Sequence, residues 1–596
     1  MATGTGKGWF AEGRADALFC SIFTVLAVLS TKPFTEIGLI DDWSYLRTAF
    51  VFARTGRLVY NGWATAMLGW QIVWAAPFLK LFGYSFTSAR MSTLVLSGIC
   101  VWLAHSIFRI SGINRRNANF GALAVGLSPI IAPFSVSFMS DTCGFFVILL
   151  CIYLCLRAYV AVSDRAMLAW LISAGIAGTI GGTARQIAWL SVLVLVPTTA
   201  WMLRRRRGAL FTGAALWLIG AVSIYACMQW FKHQPYSVPY PLIQGPINLQ
   251  TTRQLIDHTS ALALCLALLT FPVLTAWLKM LPRFRAGIIS LLTLIALVAT
   301  DLLRFITIHD MEKGLMPWTG YMVDRLGVVE FPNNSLIGAA PATFNHTGRV
   351  IASFVVIAAL VNFFYCILFL KENTNTSVPP AALSSKTLLH LFGPFAVAYI
   401  LLLAIPSAWA NTYDRYLMSL FVLTLLGLLR LYQDRVSPRL PALSYATLAA
   451  FSIFTILGTH DWFAMHNARA AAIDTLHKAN ISSSQFQAGF EYDGFTQIDN
   501  AGTVVDPLHR TKLPAGIELQ YAPPGLPPDC ARLFDPLTPS VHPIYFLAYQ
   551  KGPCVTDSQF APVPYRTWLP PFQRQILILK LQSPTQSADS LTPLSE

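Results

Sequence analysis

Long apolar runs alternate with short polar connections along this chain. A helix that crosses a bilayer needs about 20 mostly apolar residues. Thirteen stretches meet that measure: 17–34, 88–108, 118–138, 142–162, 166–183, 186–203, 209–231, 259–280, 286–306, 350–370, 387–409, 416–433 and 441–459. One more apolar stretch, 63–82, carries Trp63, Trp70 and Trp74 at helical spacing and is predicted to lie flat at the membrane surface. Beyond about 460 the pattern changes to a helical stretch at 462–479, then Pro- and Gly-rich sequence with β-like runs such as 575–582. The predicted fold is therefore an all-α polytopic membrane domain of about thirteen helices, residues 1–459, with interfacial helices in a first outer loop at 35–87. A small mixed α/β C-terminal domain, 460–596, follows it. No internal repeat is visible.

Composition sharpens this reading. Hydrophobic residues make up 55% of the 596, charged residues 12%, and mean hydropathy is +0.54. Ordinary globular chains carry about 25% charged residues, so lipid is the main solvent here. The net charge of +14 does not point to nucleic acid, because the basic residues sit in short clusters between apolar runs. Such clusters mark the cytoplasmic side. With a cytoplasmic N-terminus, the inside loops receive Arg109/Arg115/Arg116, Arg165, Arg204 to Arg207, Lys279/Arg283/Arg285, Lys371/Lys386 and Arg430/Arg435/Arg439. Were 63–82 a span, the four-arginine cluster would face outward. The first apolar run lacks a small-residue cleavage site and reads as a retained helix rather than a signal peptide. Cys530 and Cys554 lie in the tail, where an oxidising compartment would allow a disulfide.

The same topology collects unusual polar residues on the opposite face. The first outer loop opens on Asp41-Asp42-Trp43, and Asp141 follows the third span. Arg185-Gln186 follows the fifth, then Lys232/His233, His309-Asp310 and finally Tyr413-Asp414-Arg415-Tyr416. Charges at a bilayer boundary are costly unless paired or facing a cavity. Together they suggest group transfer from a phosphate-bearing donor: a carboxylate such as Asp41 as proton acceptor, arginines as two-pronged donors to the leaving phosphate. Each residue also has a plain structural reading. Asp41 and Asp42, or Asp141, would serve as helix N-terminal caps. Arg185 would reach to the headgroups, and Arg415 would pair with Asp414 or a lipid phosphate. His233, His309 and Asp310 read as structural rather than as metal ligands.

These residues are also where the chain resembles the GT-C superfamily of membrane glycosyltransferases, above all its protein O-mannosyltransferase-like branch and the bacterial lipid A aminoarabinose transferases. The matching features are Asp41-Asp42 followed by an amphipathic helix ending in Thr55-Gly56-Arg57, and an aromatic helix ending in Leu81-Phe82-Gly83 with Arg90 opening the next span. Phe138-Met139-Ser140-Asp141, Thr183-Ala184-Arg185-Gln186 and Asp414-Arg415-Tyr416-Leu417 continue the series. The closing stretches Asp461-Trp462 through Arg469 and Gly489-Phe490-Glu491-Tyr492 resemble tails of bacterial members. The resemblance implies transfer of a sugar from a polyprenyl-phosphate donor to a lipid, glycan or protein acceptor at the non-cytoplasmic face, without a metal. It implies Asp41, with Asp42 and Asp141, as the catalytic acids, and Arg185, Arg415, Tyr416 and Arg90 around the donor phosphate. It further implies a bacterial inner-membrane protein with a periplasmic C-terminal domain. One feature departs from the pattern. Where the aminoarabinose transferases carry an acid-Lys-Pro stretch, this chain reads Ala64-Thr65-Ala66-Met67. The resemblance therefore stops short of that lysine and of the aminoarabinose substrate, and Lys80, at the helix's other end, does not take the lysine's place.

Two other classes remain. A transporter or flippase predicts ionisable residues at mid-membrane and inverted repeats, whereas these charges lie at the boundary. A polysaccharide polymerase or ligase is chemically closer, and usually gathers its arginines in one large late outer loop.

Overall fold

Helices account for most of the computed structural model, which describes residues 6–280 except 240, 343–504 except 373–382 and 411, and 537–582 except 553, with short pieces between these blocks. The expected span 286–306, the pair His309-Asp310, and Cys530 lie outside the described residues. Among the described residues, seven helices are long and apolar enough to cross a membrane. Of the six other expected spans, 286–306 is not described, and 118–138 and 186–203 are not single α-helices.

Residues 17–29 of the expected first span fall in α1 (Gly6–Leu29), which packs against α4 (Phe86–Ile110) and α5 (Arg115–Gly126). Between α1 and α4 lie α2 (Asp42–Thr55) and α3 (Gly69–Phe82). Each has 14 residues, about 21 Å at 1.5 Å per residue, too short to cross the hydrocarbon core. Gly56 ends α2 in the left-handed region (φ 70°), its N–H returning to the Phe52 carbonyl. A side chain there would be strained. The expected span 118–138 is not one helix. It stops at Gly126 and continues through a turn and a single 3-10 turn, Pro133–Val136, because Pro129 and Pro133 remove donors and disfavour helix before them.

The bundle continues with α6 (Ser140–Val160), α7 (Asp164–Gly181), α8 (Val196–Met202) and α9 (Ala209–Lys232). It is completed by α10 (Leu249–Leu274), α11 (His346–Glu372), α12 (Ser385–Ala404), α13 (Met418–Arg435) and α14 (Ala442–Lys478). The predicted last span and the predicted helix at 462–479 are one element, α14, with 37 residues. At about 55 Å it outruns a bilayer core of about 30 Å, so its second half stands clear as a post.

That post carries a small C-terminal sheet. After α14, β1 (Phe486–Gln487) leads into α15 (Phe490–Ala501). The remaining strands are β2 (Tyr545–Ala548), β3 (Val555–Asp557), β4 (Val563–Arg566) and β5 (Gln573–Leu581). The run read as β-like is β5, the hub of the sheet: β2, β3 and β4 all pair antiparallel to it, and β1 adds parallel to β2. The Asp461 carboxylate on α14 accepts the backbone N–H of Trp568 (2.6 Å) and Leu569 (2.7 Å), and His460 stacks on the Trp568 ring at 3.4 Å. Cys554 is disulfide-bonded.

Polar contacts divide the bundle into two ends. At one end the basic connections bind each other. Arg430 Nη1 donates to the Gly112 carbonyl (2.7 Å), Asn114 is held by Gln433 and the Pro438 carbonyl, and Arg115 pairs with Asp16. Arg206 caps the turn at Ala161 and Val162 and pairs with Asp164. Helices α4 and α6 run from there to the opposite end, where Arg90 and Ser140 lie.

Candidate functional site

At that opposite end, four connections converge: residues 39–42, 134–141, 183–186 and 413–417. Asp42 and Arg90 form the frame that joins two of them. Both side chains are fully buried. Asp42 Oδ1 accepts Leu39 N–H (2.7 Å) and Arg90 Nη2 (3.2 Å); Oδ2 accepts Arg90 Nε (2.8 Å) and Phe138 N–H (3.2 Å). Arg90 also donates to the Thr35 and Ile37 carbonyls (2.8 and 2.7 Å). All three guanidinium nitrogens are thus engaged by protein, in the two-pronged geometry that makes such pairs specific. The structure gives Asp42 and Arg90 to the first loop and to Phe138, and neither points an open position at a ligand. Glu36 fixes the same loop by accepting Phe86 and Thr87 N–H at the start of α4.

Asp41, the preceding residue, is half-buried and turned elsewhere. It precedes α2 without making a side-chain cap bond. Instead its Oδ1 accepts the indole N–H of Trp63 at 2.8 Å. Burial pushes the Asp41 carboxyl above the usual carboxylate range, opposed by Arg415 and the Trp63 hydrogen bond and reinforced by Asp141 and Asp42. A carboxylate raised in this way is a better proton acceptor near neutral pH.

Asp141 sits in the first turn of α6 yet does not cap it. Its Oδ1 lies 3.1 Å from Arg185 Nη2 and 3.7 Å from Arg415 Nε. Its Oδ2 is buried with no hydrogen-bond partner among the described residues. Arg185 also donates to Ser140 Oγ (3.1 Å) and lies over the Tyr416 ring, 5.0 Å from its centroid. Arg415 lies over Tyr413 (4.6 Å), Tyr416 (5.5 Å) and Phe134 (5.6 Å). Arg185 therefore turns inward instead of reaching for headgroups. Gly144, one turn into α6, makes room: a Cβ there would stand 2.9 Å from Arg185 Cβ.

The 183–186 connection is set by α3. Gly69 N–H donates to the Thr183 carbonyl (2.7 Å), Trp70 Nε1 to Gly181 (2.9 Å), and Gln186 Nε2 to Thr65 (3.1 Å). Trp74 Nε1 donates to the Ser92 carbonyl (3.0 Å). These indoles, read as anchors at a membrane interface, bond inward to protein, and Trp63 stands in the loop before α3 rather than on it. His233 bonds the Gln229 carbonyl of its own helix (2.7 Å) and takes no part in the cluster. Among the described residues, no group of three His, Cys, Asp or Glu is placed to hold a metal ion.

Three residues that the sequence reading did not assign to the site belong here. Trp63 is one. Tyr45, one turn along α2 from Asp41 and buried, is in electrostatic reach of Asp41, Arg185, Asp141 and Arg415. Its spacing of four residues from Asp41 was a usable signal. Tyr399 donates to the Tyr416 carbonyl (2.9 Å) and gives no signal within its apolar run.

No family model matches the chain, and no curated protein matches it significantly. Solved structures do. The chain is similar to ArnT from Cupriavidus metallidurans in the apo state (13% identity, 97% of this chain and 98% of that one, TM-score 0.34). It is similar also to the same protein bound to undecaprenyl phosphate (12% identity, 97% and 99%, TM-score 0.35). A third is the S. cerevisiae protein O-mannosyltransferase Pmt1-Pmt2 complex bound to the sugar donor (14% identity, TM-score 0.31), where the match covers 39% of this chain and spans only 34% of that one.

Proposed function

We propose that the chain is a membrane glycosyltransferase that moves a sugar from a polyprenyl-phosphate donor to a lipid, glycan or protein acceptor at the non-cytoplasmic face. The observation that carries this reading is the convergence of Arg185 and Arg415 on Asp141, beside a half-buried Asp41 carboxylate, at the end of the bundle away from the basic loops. Two fixed guanidiniums suit a phosphate group, and a carboxylate of raised proton affinity suits an acceptor hydroxyl or amine.

In this mechanism the acceptor oxygen or nitrogen attacks the anomeric carbon of the donor sugar while Asp41 takes its proton. The bond from that carbon to the phosphate oxygen breaks, and its electron pair leaves with the polyprenyl phosphate. Arg185 and Arg415 neutralise the charge that grows on the leaving group. Asp141 holds the two guanidiniums apart and aimed, and Asp42 with Arg90 keeps the Asp41 and Asp141 loops in register. The isoprenoid tail stays in lipid. Orientation follows the basic loops: a reporter fused after Arg207 should read cytoplasm, and one after Asn480 the other side.

The test is mass spectrometry of surface glycolipids, glycans and glycoproteins from cells with the wild-type chain, with Asp41→Asn, and without the gene. A single sugar residue should be missing in the last two. A change of chain length instead would indicate a polymerase, and an unchanged profile for Asp41→Asn would remove Asp41 from the chemistry.

A further inference from the structure

Trp63 touches two things at once. Its N–H holds Asp41 Oδ1 at 2.8 Å, and its ring packs on Phe490 of α15, centroids 4.9 Å apart. Among the described residues, Trp63 is the one hydrogen-bond donor to the Asp41 carboxylate. The ring is gripped on a second side by Trp43 (5.6 Å), which itself meets Phe490 edge-on (5.5 Å, 86°). Trp43 is fully buried. It is closed over by two glycines: a Cβ on Gly38 would fall 2.8 Å from Trp43 Cβ, and one on Gly494 2.7 Å from the ring.

Polar contacts seat the same segment all along the first loop. Asn61 is bonded to Ser44 through both its amide groups, and its carbonyl accepts Val504 N–H (3.0 Å) and the Thr503 hydroxyl (3.1 Å). Arg47 pairs with Asp499 at 3.0 Å. From the post, buried Arg469 binds Glu491 Oε2 (3.0 Å) and the Ala488 carbonyl (2.6 Å). The residues that follow Asp41 are therefore clamped to a stretch more than 400 positions later in the chain.

We propose that Trp63 is a positioning residue that transmits the seating of residues 486–504 to the Asp41 carboxylate, so that this segment forms a wall of the site. The inference rests on the assignment of Asp41 as proton acceptor. With Oδ1 anchored by the indole, the second oxygen is presented in one direction. Without the C-terminal segment, the Trp43–Trp63 pair loses the ring that closes it, and the anchor swings free.

A merely structural role would leave the protonation of Asp41 unchanged, so the experiment reads that protonation. The whole protein in nanodiscs is titrated while the protonated-carboxyl infrared stretch is followed, and the Asp41 signal is assigned by its loss in Asp41→Asn. Trp63→Phe keeps an aromatic ring and removes the donor; Phe490→Leu keeps apolar volume and removes the ring contact. The groups that also face Asp41 (Arg415, Asp141, Asp42 and Tyr45) are intact in both. A hydrogen bond to a charged group favours the charged form. Its loss should raise the Asp41 midpoint by about 1 pH unit in Trp63→Phe, and Phe490→Leu should move it the same way by less. The acid limb of sugar transfer should shift in parallel. An unmoved midpoint in Trp63→Phe overturns the anchor, and one that moves there but not in Phe490→Leu overturns the link to the C-terminal segment. If the midpoints move but no sugar transfer exists in wild type, the proposed reaction fails while the coupling stands.

Discussion

Arg90 offers the sharpest separation between holding the site and meeting the substrate. Its side chain is fully buried, bonded twice to Asp42 and once each to the Thr35 and Ile37 carbonyls. Arg90→Met keeps length and apolar bulk but leaves the Asp42 carboxylate as an uncompensated buried charge. Breaking one side of such a pair costs about 3–5 kcal/mol, a large share of a stability that is typically about 5–15 kcal/mol. Replacing both charges, as Arg90→Met with Asp42→Leu, should recover only part of that loss. The pair itself would be gone, but the N–H groups of Leu39 and Phe138 would lose their acceptor, at about 1–3 kcal/mol for each group left unsatisfied. The assay is thermal unfolding in one detergent at fixed pH, with surviving transfer measured on the folded fraction. The expected ranking is wild type, then the double variant, then Arg90→Met. An Arg90→Met protein as stable as wild type but poor in donor binding would refute the argument and return Arg90 to the donor phosphate.

Other changes test neighbouring contacts. Arg415→Ala should weaken donor binding more than acceptor binding, read as separate effects on the two KM values; the reverse pattern would unseat it from the phosphate. Gly144→Ala brings a Cβ within 2.9 Å of Arg185 Cβ, close to the backbone where the side chain cannot yield, and should cut transfer at least tenfold with little loss of fold. Gly494→Ala drives a methyl into the Trp43 ring and should destabilise by about 1–3 kcal/mol, exposing α15 to protease before the rest of the chain. Asp41 has a folded pKa above its unfolded value, so its contribution to stability is full at low pH and is lost as pH rises through the folded value. Asp41→Asn should therefore gain stability relative to wild type as pH increases while losing transfer throughout. Equal pH dependence in the two proteins would contradict the raised affinity.

Lipid imposes demands that a sequence cannot hide, which is why the seven long apolar helices and the polar residues gathered at their two ends were readable. The errors came where a local signal competed with an apolar run. Pro129 and Pro133 were in plain view, yet the surrounding hydrophobicity suggested a continuous helix where the chain instead breaks at Gly126. Periodicity also carries no mark where a helix leaves the bilayer, so α14 was read as two elements. The tryptophans of the first loop fitted an interface pattern equally well whether their N–H groups met headgroups or, as found, the Gly181 and Ser92 carbonyls and the Asp41 carboxylate.

The roles within Asp41-Asp42 illustrate the deepest limit. Two adjacent aspartates have the same propensity, charge and predicted depth, and each was credited with the same chemistry. They begin a helix, however, where successive side chains point about 100° apart, so they cannot face the same partners. Asp42 meets Arg90, 48 positions on, and is consumed by the frame; Asp41 meets Trp63 and feels the charge of Arg415. Nothing local distinguishes them, because the deciding partners arrive from α4 and from the loop before α3. The frame in turn explains why the pair occurs together. A carboxylate of raised proton affinity is useful only if held still, and the neighbouring residue is the nearest point at which the backbone beneath it can be fastened.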